Sequence, residues 1–468
     1  MASIPEKGVF LSQSLACIFT ISMLFLILSS SLLFQFGDNS SVSKSIYNLI
    51  IDNNTLDHIN NESCFKLDPV KPANSCDENR ALLKVFMYDL PPWFHFGLLG
   101  WKGNQNPNRI WPDVSNLSEI PKYPGGLNLQ HSIEYWVTLD LLSSVSSNVS
   151  RPCTAILVQN SSQSDVIFVP FFSSLSYNRR SKIHGSKKHS MDRILQENLV
   201  KYLKGRDEWI RSGGKNHLII AHHPNSMLLA RKHFVSSMFV LADFGRCPVH
   251  IANIDKDVIA PYKHVVRRLD ADDSPSFEER HLLVYFQGAI YRKDGGIIRK
   301  KLHSLIKDEE GVHFTFGSAA SGGGVRKASQ GMISSKFCLH IAGDTPSSNR
   351  LFDAIASHCV PVIISDDIEL PFEDVLDYSK FAIFVPALDA LRKGYLMKVL
   401  RGVGRQKWIE MWERLKQIAP YFEYGYPSQT GDAVDMIWHA VRRKICSLHD
   451  SGGRRRNRYQ MSQNFLKS

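Results

Sequence analysis

The chain has 468 residues, 43% of them apolar and 22% charged, with a formal net charge of +11 and eight cysteines. That length allows two or three domains with a sizeable core, and the composition excludes a chain that is disordered throughout. Part of the positive excess is local: Arg454, Arg455, Arg456 and Arg458 form a basic tail, which reads first as a solvated end.

Leu15–Phe34 is an almost unbroken run of apolar residues and Ser inside an interval without charge from Gly8 to Gly37. It matches the roughly 20 residues that a helix needs to cross a bilayer. With Lys7 before it and Asp38 after it, the positive-inside rule leaves a few residues in the cytosol and the rest in a secretory lumen. Ser29, Ser30 and Ser31 offer a signal-cleavage alternative, which the length of the run disfavours. Six Asn-x-Ser/Thr sequons, at Asn39, Asn53, Asn61, Asn116, Asn148 and Asn160, fit lumenal exposure. For a lumenal chain of this charge the acidic partners are polyuronate polysaccharide, nucleotide diphosphate and lipid headgroups, not nucleic acid. Cys17 falls in the span, and the other seven cysteines are odd in number, so at least one is unpaired. Cys64 and Cys76 are expected to close a stem loop, and Cys338 and Cys359 to be buried core thiols.

Asp38 to about Arg80 is rich in Asn, Ser and Asp and reads as a flexible stem. Globular structure starts at Ala81. Strands are expected at Lys84–Leu90, Asp165–Phe171, His217–Ala221 and Met238–Leu241, and helices at Leu129–Leu142 and Met191–Lys204. A polar interval, Asp270–Glu279, then separates a second alternation: strand His281–Phe286, helix Gly295–Ile306 and strand Val312–Phe316. Strands at Phe337–Ile341 and Val360–Ile364 follow, joined by a helix that starts at Ser347-Ser348 and carries Leu351, Phe352 and Ile355 at helical spacing. Helical patterns at Leu388–Leu400 and Gln406–Ala419 could cover this second sheet. Strands alternating with helices imply parallel sheets, here in an α/β chain of two halves.

Several residues gather where such sheets bind anions, at strand ends and helix starts. Gly288 and Arg292 lie just past a strand, Gly295 and Gly296 open a helix, and Ser347, Ser348 and Arg350 form the corresponding turn in the next unit. Two arginines can clamp a diphosphate through paired N–H groups. Asp353 stands one turn into the second helix. Asp366-Asp367 read as turn and capping residues, and the eighteen histidines show no HxH or HExxH spacing, so a metal site has no sequence support.

The segment GDTPSS with a following Arg and acidic residue, then CVPV and LPFEDVLDY, resembles the C-terminal signature of the exostosin-type glycosyltransferases of family 47. The likeness extends to KVFMYDLP at Lys84–Pro91, YPGGLNLQHSIEYW at Tyr123–Trp136, DVIFVPFF at Asp165–Phe172, RSGGKNHLIIAHHPNSM at Arg211–Met227, LADFGR at Leu241–Arg246 and YFQGAIYRKDGGIIRKKL at Tyr285–Leu302. Among plant members the chain most resembles the arabinan arabinosyltransferases. The resemblance implies two Rossmann-like halves facing across a cleft, the GT-B type, in a single-pass type II membrane protein of the Golgi.

The division then runs as cytosolic tail 1–10, signal anchor 11–36, lumenal stem 37–80, acceptor-side domain 81–269, donor domain 270–446 and basic tail 447–468. The implied reaction moves a sugar, arabinose in first place, from a UDP-sugar to a wall polysaccharide such as pectic arabinan, with inversion and without a metal or other cofactor. Xylosyl, galactosyl or glucuronosyl transfer, or a non-catalytic scaffold for an active partner, are the alternatives, and a complex with other glycosyltransferases fits the same setting. The donor would meet Gly288, Arg292, Gly295, Gly296, Ser347, Ser348, Arg350 and Asp353, the last holding the ribose hydroxyls. Inversion needs a base from the first half. Asp89, His222, His223 and Asp243 end strands there, and at most one of them is expected to serve; His131 and Glu134 either line the acceptor side or form a polar helical face.

Overall fold

The computed structural model describes residues 76–103, 109–183, 189–291, 296–317 and 323–449, all within one unit spanning Cys64–Ser468. The expected membrane span, most of the stem, the basic tail, Arg292 and Gly295 lie outside the described residues. Among the described residues no helix is long and apolar enough to cross a membrane.

The first half is a six-stranded parallel sheet of β1 (Leu83–Met87), β2 (Ala155–Val158), β3 (Val166–Val169), β4 (His217–Ile220), β5 (Met238–Leu241) and β6 (Val258–Ile259), in the order β2-β1-β3-β4-β5-β6. Continuous burial along β3, β4 and β5 is what a parallel sheet covered on both faces demands. Its helices are α1 (Ile133–Ser143), α2 (Ser173–Arg180), α3 (Met191–Lys204) and α4 (Asp207–Ser212). The expected helix over Leu129–Leu142 is broken: Gly126–His131 forms a 3-10 turn and α1 starts after Ser132. Ser132 is spent on the break, its Oγ donating to the Leu129 carbonyl at 2.7 Å and accepting from Trp136 Nε1 at 2.8 Å.

The second half is a five-stranded parallel sheet of β7 (Leu282–Gly288), β8 (Val312–Phe316), β9 (Ser335–Ile341), β10 (Val360–Ile364) and β11 (Ile383–Phe384), in the order β11-β10-β9-β7-β8. Its helices are α5 (Ile297–Ile306), α6 (Gly324–Ile333), α7 (Asn349–Ala356), α8 (Ala387–Ala390), α9 (Tyr395–Arg401) and α10 (Arg405–Ile418). The pattern read as one helix over Leu388–Leu400 is two, α8 and α9, because Gly394 sits at φ 75° and turns the chain between them.

Both expectations for cysteine pairing fail. Cys76 bonds Cys153, and Cys338 bonds Cys359 across the neighbouring strands β9 and β10. In that parallel pair Cys338 is opposite Pro361, so Cys359, just ahead of β10, approaches it from the end of α7. Cys446 is also held in a disulfide, and Cys247 is the free thiol among the described residues.

The described residues end on α11 (Ala433–His449), which packs on the first half. Trp438 Nε1 donates to Asp140 on α1 at 2.9 Å, and Arg151 grips the same carboxylate with two N–H groups at 2.7 and 2.5 Å. One apolar core runs from the first sheet through Leu351, Phe352 and Ile355 of α7 to Leu370, Phe372 and Leu376 and on to α11, and a second fills the far side of the second sheet.

Candidate active site

In each sheet the chain reverses its direction of winding, and the carboxyl ends of strands at such a point are where open α/β sheets bind ligands. In the second sheet this point lies between β7 and β9. There a cavity of about 420 Å³ opens between the halves, lined on one side by Gln287, Arg299, Gly343–Thr345, Ser347–Arg350 and Asp353, and on the other by His131, His223, Asn225, Arg246 and Tyr262.

Arg350 sits over the end of β7. Its Nε donates to the Gln287 carbonyl at 3.0 Å, and the guanidinium lies 5.2 Å from the Phe286 ring centroid. Gly288 leaves room for this cation, since a Cβ there would stand 2.2 Å from Arg350 Nη2. Arg299 on α5 was absent from the expected set. It is 1% exposed yet lines the cavity, and it bridges both strand ends, with Nη2 on the Ile341 carbonyl at 2.7 Å and Nη1 on the Ala289 carbonyl at 3.1 Å. The signal was available: Arg299 shares helical spacing with the buried Leu302 and Ile306, an unusual place for a charge.

The turn from β9 to α7 is shaped by His340, which is also outside the expected set although it is a lone imidazole in the apolar run Phe337–Ile341 of β9. Its Nε2 meets the Pro346 carbonyl at 3.1 Å and its Nδ1 meets Ser348 Oγ at 3.2 Å. Burial pushes this ring down to about 3, so it stays neutral and can accept from Ser348. Ser348 therefore flanks α7 without capping it through its side chain. Asp353 has both oxygens engaged. Oδ1 accepts from the backbone N–H of Val265 at 2.8 Å and of Val266 at 3.3 Å, in the segment linking the halves, and Oδ2 accepts from Asn349 Nδ2 at 2.8 Å. Gly296 flanks the start of α5.

On the opposite wall, His222 and His223 follow the end of β4. His222 is fully buried, with Nδ1 2.9 Å from His131 Nδ1 and Nε2 3.2 Å from the Ala260 carbonyl. His131 and His223 have ring centroids 4.5 Å apart, and both line the cavity. Burial lowers His222 to about 3 and His223 to about 4, and lowers His131 well below the usual imidazole range with help from its two neighbours. Asp243 is buried and accepts from the Gly245 N–H at 2.9 Å; burial pushes its carboxyl up, against the Thr345 and Ser347 groups beside it. Gly245 itself lets the two walls meet, because a Cβ there would lie 2.6 Å from Pro346 Cδ. Asp89 is elsewhere: exposed, accepting from Trp111 Nε1 at 2.9 Å, on a separate open groove with Arg109 and Asp113. Glu134 is sealed between Ser173 and Ser174, and burial raises its carboxyl to about 7.

Asp366 accepts from the Ala387 N–H at 3.0 Å at the start of α8, as a capping residue does. Among the described residues no three His, Cys, Asp or Glu side chains are placed to share a metal ion. Asn116, Asn148 and Asn160 are exposed.

The exostosin GT47 domain matches residues 79–403, and the chain belongs to that family; it is a glycosyltransferase. It is 38% identical to the probable arabinosyltransferase ARAD1 of Arabidopsis thaliana, over 79% of this chain and 81% of that protein. It is 23% identical to the probable glucuronosyltransferase GUT1 of Oryza sativa subsp. japonica, over 79% of this chain and 83% of that one. Among solved structures, Anabaena Alr3699/HepE in complex with UDP and glucose aligns with 79% of this chain at a TM-score of 0.29 and 10% identity, too slight a likeness to argue from.

Proposed function

We propose that this protein transfers a sugar, arabinose in first place, from a UDP-sugar to a growing wall polysaccharide such as pectic arabinan, with inversion, in a GT-B-type cleft. The observation that carries this reading is the convergence of Arg299, Arg350 and the Gly343–Arg350 turn at the winding reversal of the second sheet, facing a cluster of neutral histidines across a 420 Å³ cavity. Cations fixed by carbonyls and ring faces form a preorganised cradle for a departing diphosphate. In this reading Asp353 offers a ribose hydroxyl its Oδ2 while Oδ1 stays with the linker. Arabinose is preferred because the ARAD1 relative shares far more identity than the glucuronosyltransferase relatives.

The setting proposed is the Golgi membrane, with the anchor at Leu15–Phe34 and the enzyme in the lumen. Protein cations in place of a metal are proposed to neutralise the leaving group. The test is a screen of the full-length protein with UDP-linked arabinose, xylose, galactose and glucuronate against wall oligosaccharides, with and without EDTA. Pentose transfer that survives chelation supports the reading. Glucuronate transfer would replace the donor, and loss with EDTA restored by manganese would reopen Asp366-Asp367 as a metal site.

A further inference from the structure

The hydrogen bonds of the histidine cluster determine which ring nitrogens carry protons. A carbonyl only accepts, so His222 Nε2, 3.2 Å from the Ala260 oxygen, must be the protonated nitrogen of that neutral ring. His222 Nδ1 is then an acceptor, and the His131 Nδ1 that meets it at 2.9 Å must be the donor. His131 is left with a bare Nε2, on a ring that lines the cavity. His223 has the reverse arrangement: its Nδ1 accepts from the Asn225 N–H at 3.1 Å, which puts the proton on Nε2 and makes the ring a donor.

We propose that His131 is the general base of the transfer reaction and that His222, tied to the Ala260 carbonyl, is the positioning residue that keeps the lone pair of His131 on Nε2. This rests on the inverting reaction proposed above. In that step the acceptor hydroxyl gives its proton to His131 Nε2 as its oxygen forms a bond to the anomeric carbon. The bond from that carbon to the diphosphate oxygen breaks, its electron pair leaves with the diphosphate, and the imidazolium later returns the proton to water. The four other first-half acids and imidazoles near strand ends do not offer the same geometry. His222 has both nitrogens engaged, His223 presents a proton, Asp243 is buried against the Gly245 turn, and Asp89 lies on another groove.

The arrangement parallels a histidine held in one tautomer by a partner on its far nitrogen, a device that general-base enzymes use widely. Here the partner is a second imidazole, itself fixed by a backbone carbonyl. That relay needs neutral rings, and the burial of His131 and His222 supplies that condition.

The test uses the full-length protein with a UDP-sugar that the wild type turns over. His131→Ala is expected to lower kcat by about 10²–10⁴-fold, leave UDP-induced thermal stabilisation within a few fold of wild type, and recover part of its activity with added imidazole. His222→Leu should lower kcat about tenfold or more without raising KM, and His222→Gln, whose amide oxygen can accept the His131 Nδ1–H, should restore part of the loss. Because a variant can fail to fold, ¹⁵N spectra of histidine-labelled wild-type protein, with the His131, His222 and His223 rings assigned, give an independent readout: His131 with Nδ1 protonated and Nε2 bare supports the assignment, and all three rings protonated at Nε2 overturn it. Unchanged kcat in His131→Ala would overturn the base. Retention of anomeric configuration in the wild-type product would instead defeat the inverting reaction on which the assignment rests.

Discussion

A Cβ on Gly288 would collide with the Arg350 guanidinium, which is itself hydrogen-bonded to the Gln287 carbonyl. Gly288→Ala is therefore expected to displace that cation and raise KM for the UDP-sugar about tenfold, as Arg350→Ala should, with little change in melting temperature. Steady-state kinetics of both variants check the pair; a normal KM in either would remove Arg350 from donor binding. Glu134 provides a test by pH. Burial raises its carboxyl from 4.5 to about 7, so the folded state holds a proton that the unfolded chain releases near 4.5. Its stabilising contribution is complete below that pH and is lost as the pH rises through 7. Glu134→Gln should thus gain about 3 kcal/mol relative to wild type between pH 4.5 and pH 8, measured by urea unfolding at both. The buried histidines act in the opposite sense, losing stability as the pH falls below 6.5, and they do so equally in both proteins.

At the level of elements, the Cys338–Cys359 bond closes a loop over the β9–α7–β10 unit that carries the site. For a sequence separation of 21 residues its removal is expected to cost about 3 kcal/mol. Paired Cys338→Ala and Cys359→Ala substitutions, followed by chemical denaturation, check this; an unchanged midpoint would show that packing alone holds the unit. This bond also shows where sequence reasoning stopped. Both cysteines are buried as expected, Cys338 within β9 but Cys359 just ahead of β10, and the path of α7, which brings Cys359 beside β9, is a three-dimensional fact with no periodic signal. Long buried strands such as β7, β9 and β10 were legible because parallel strands covered on both faces are continuous apolar runs. The two-residue strands β6 and β11 fall below any such pattern. Of the site, the turn at Ser347, Ser348 and Arg350 was legible as a helix start, whereas the preference for His131 over Asp89 depends on which loops converge. Spacing along the chain carries no record of that convergence.

Over the whole molecule, the first and second halves are tied by more than the cleft. Asp353 on α7 holds the linker N–H groups of Val265 and Val266, Arg443 on α11 pairs with Asp374 at 2.5 Å, and the core runs unbroken from the first sheet to Leu370 and Phe372. Trp438 is fully buried at the base of this arrangement, donating to the carboxylate that Arg151 also holds. Trp438→Ala is expected to cost about 3–5 kcal/mol and to lower the stability of the whole unit, read as one shifted unfolding transition. Under the proposed function the nucleotide sugar sits between the halves at the end of β7 and the start of α7, which hydrogen–deuterium exchange of the full-length protein with and without UDP tests. Protection is expected at residues 285–291 and 343–353. Protection confined to the groove of Asp89, Arg109 and Trp111, with no change at 343–353, would contradict it.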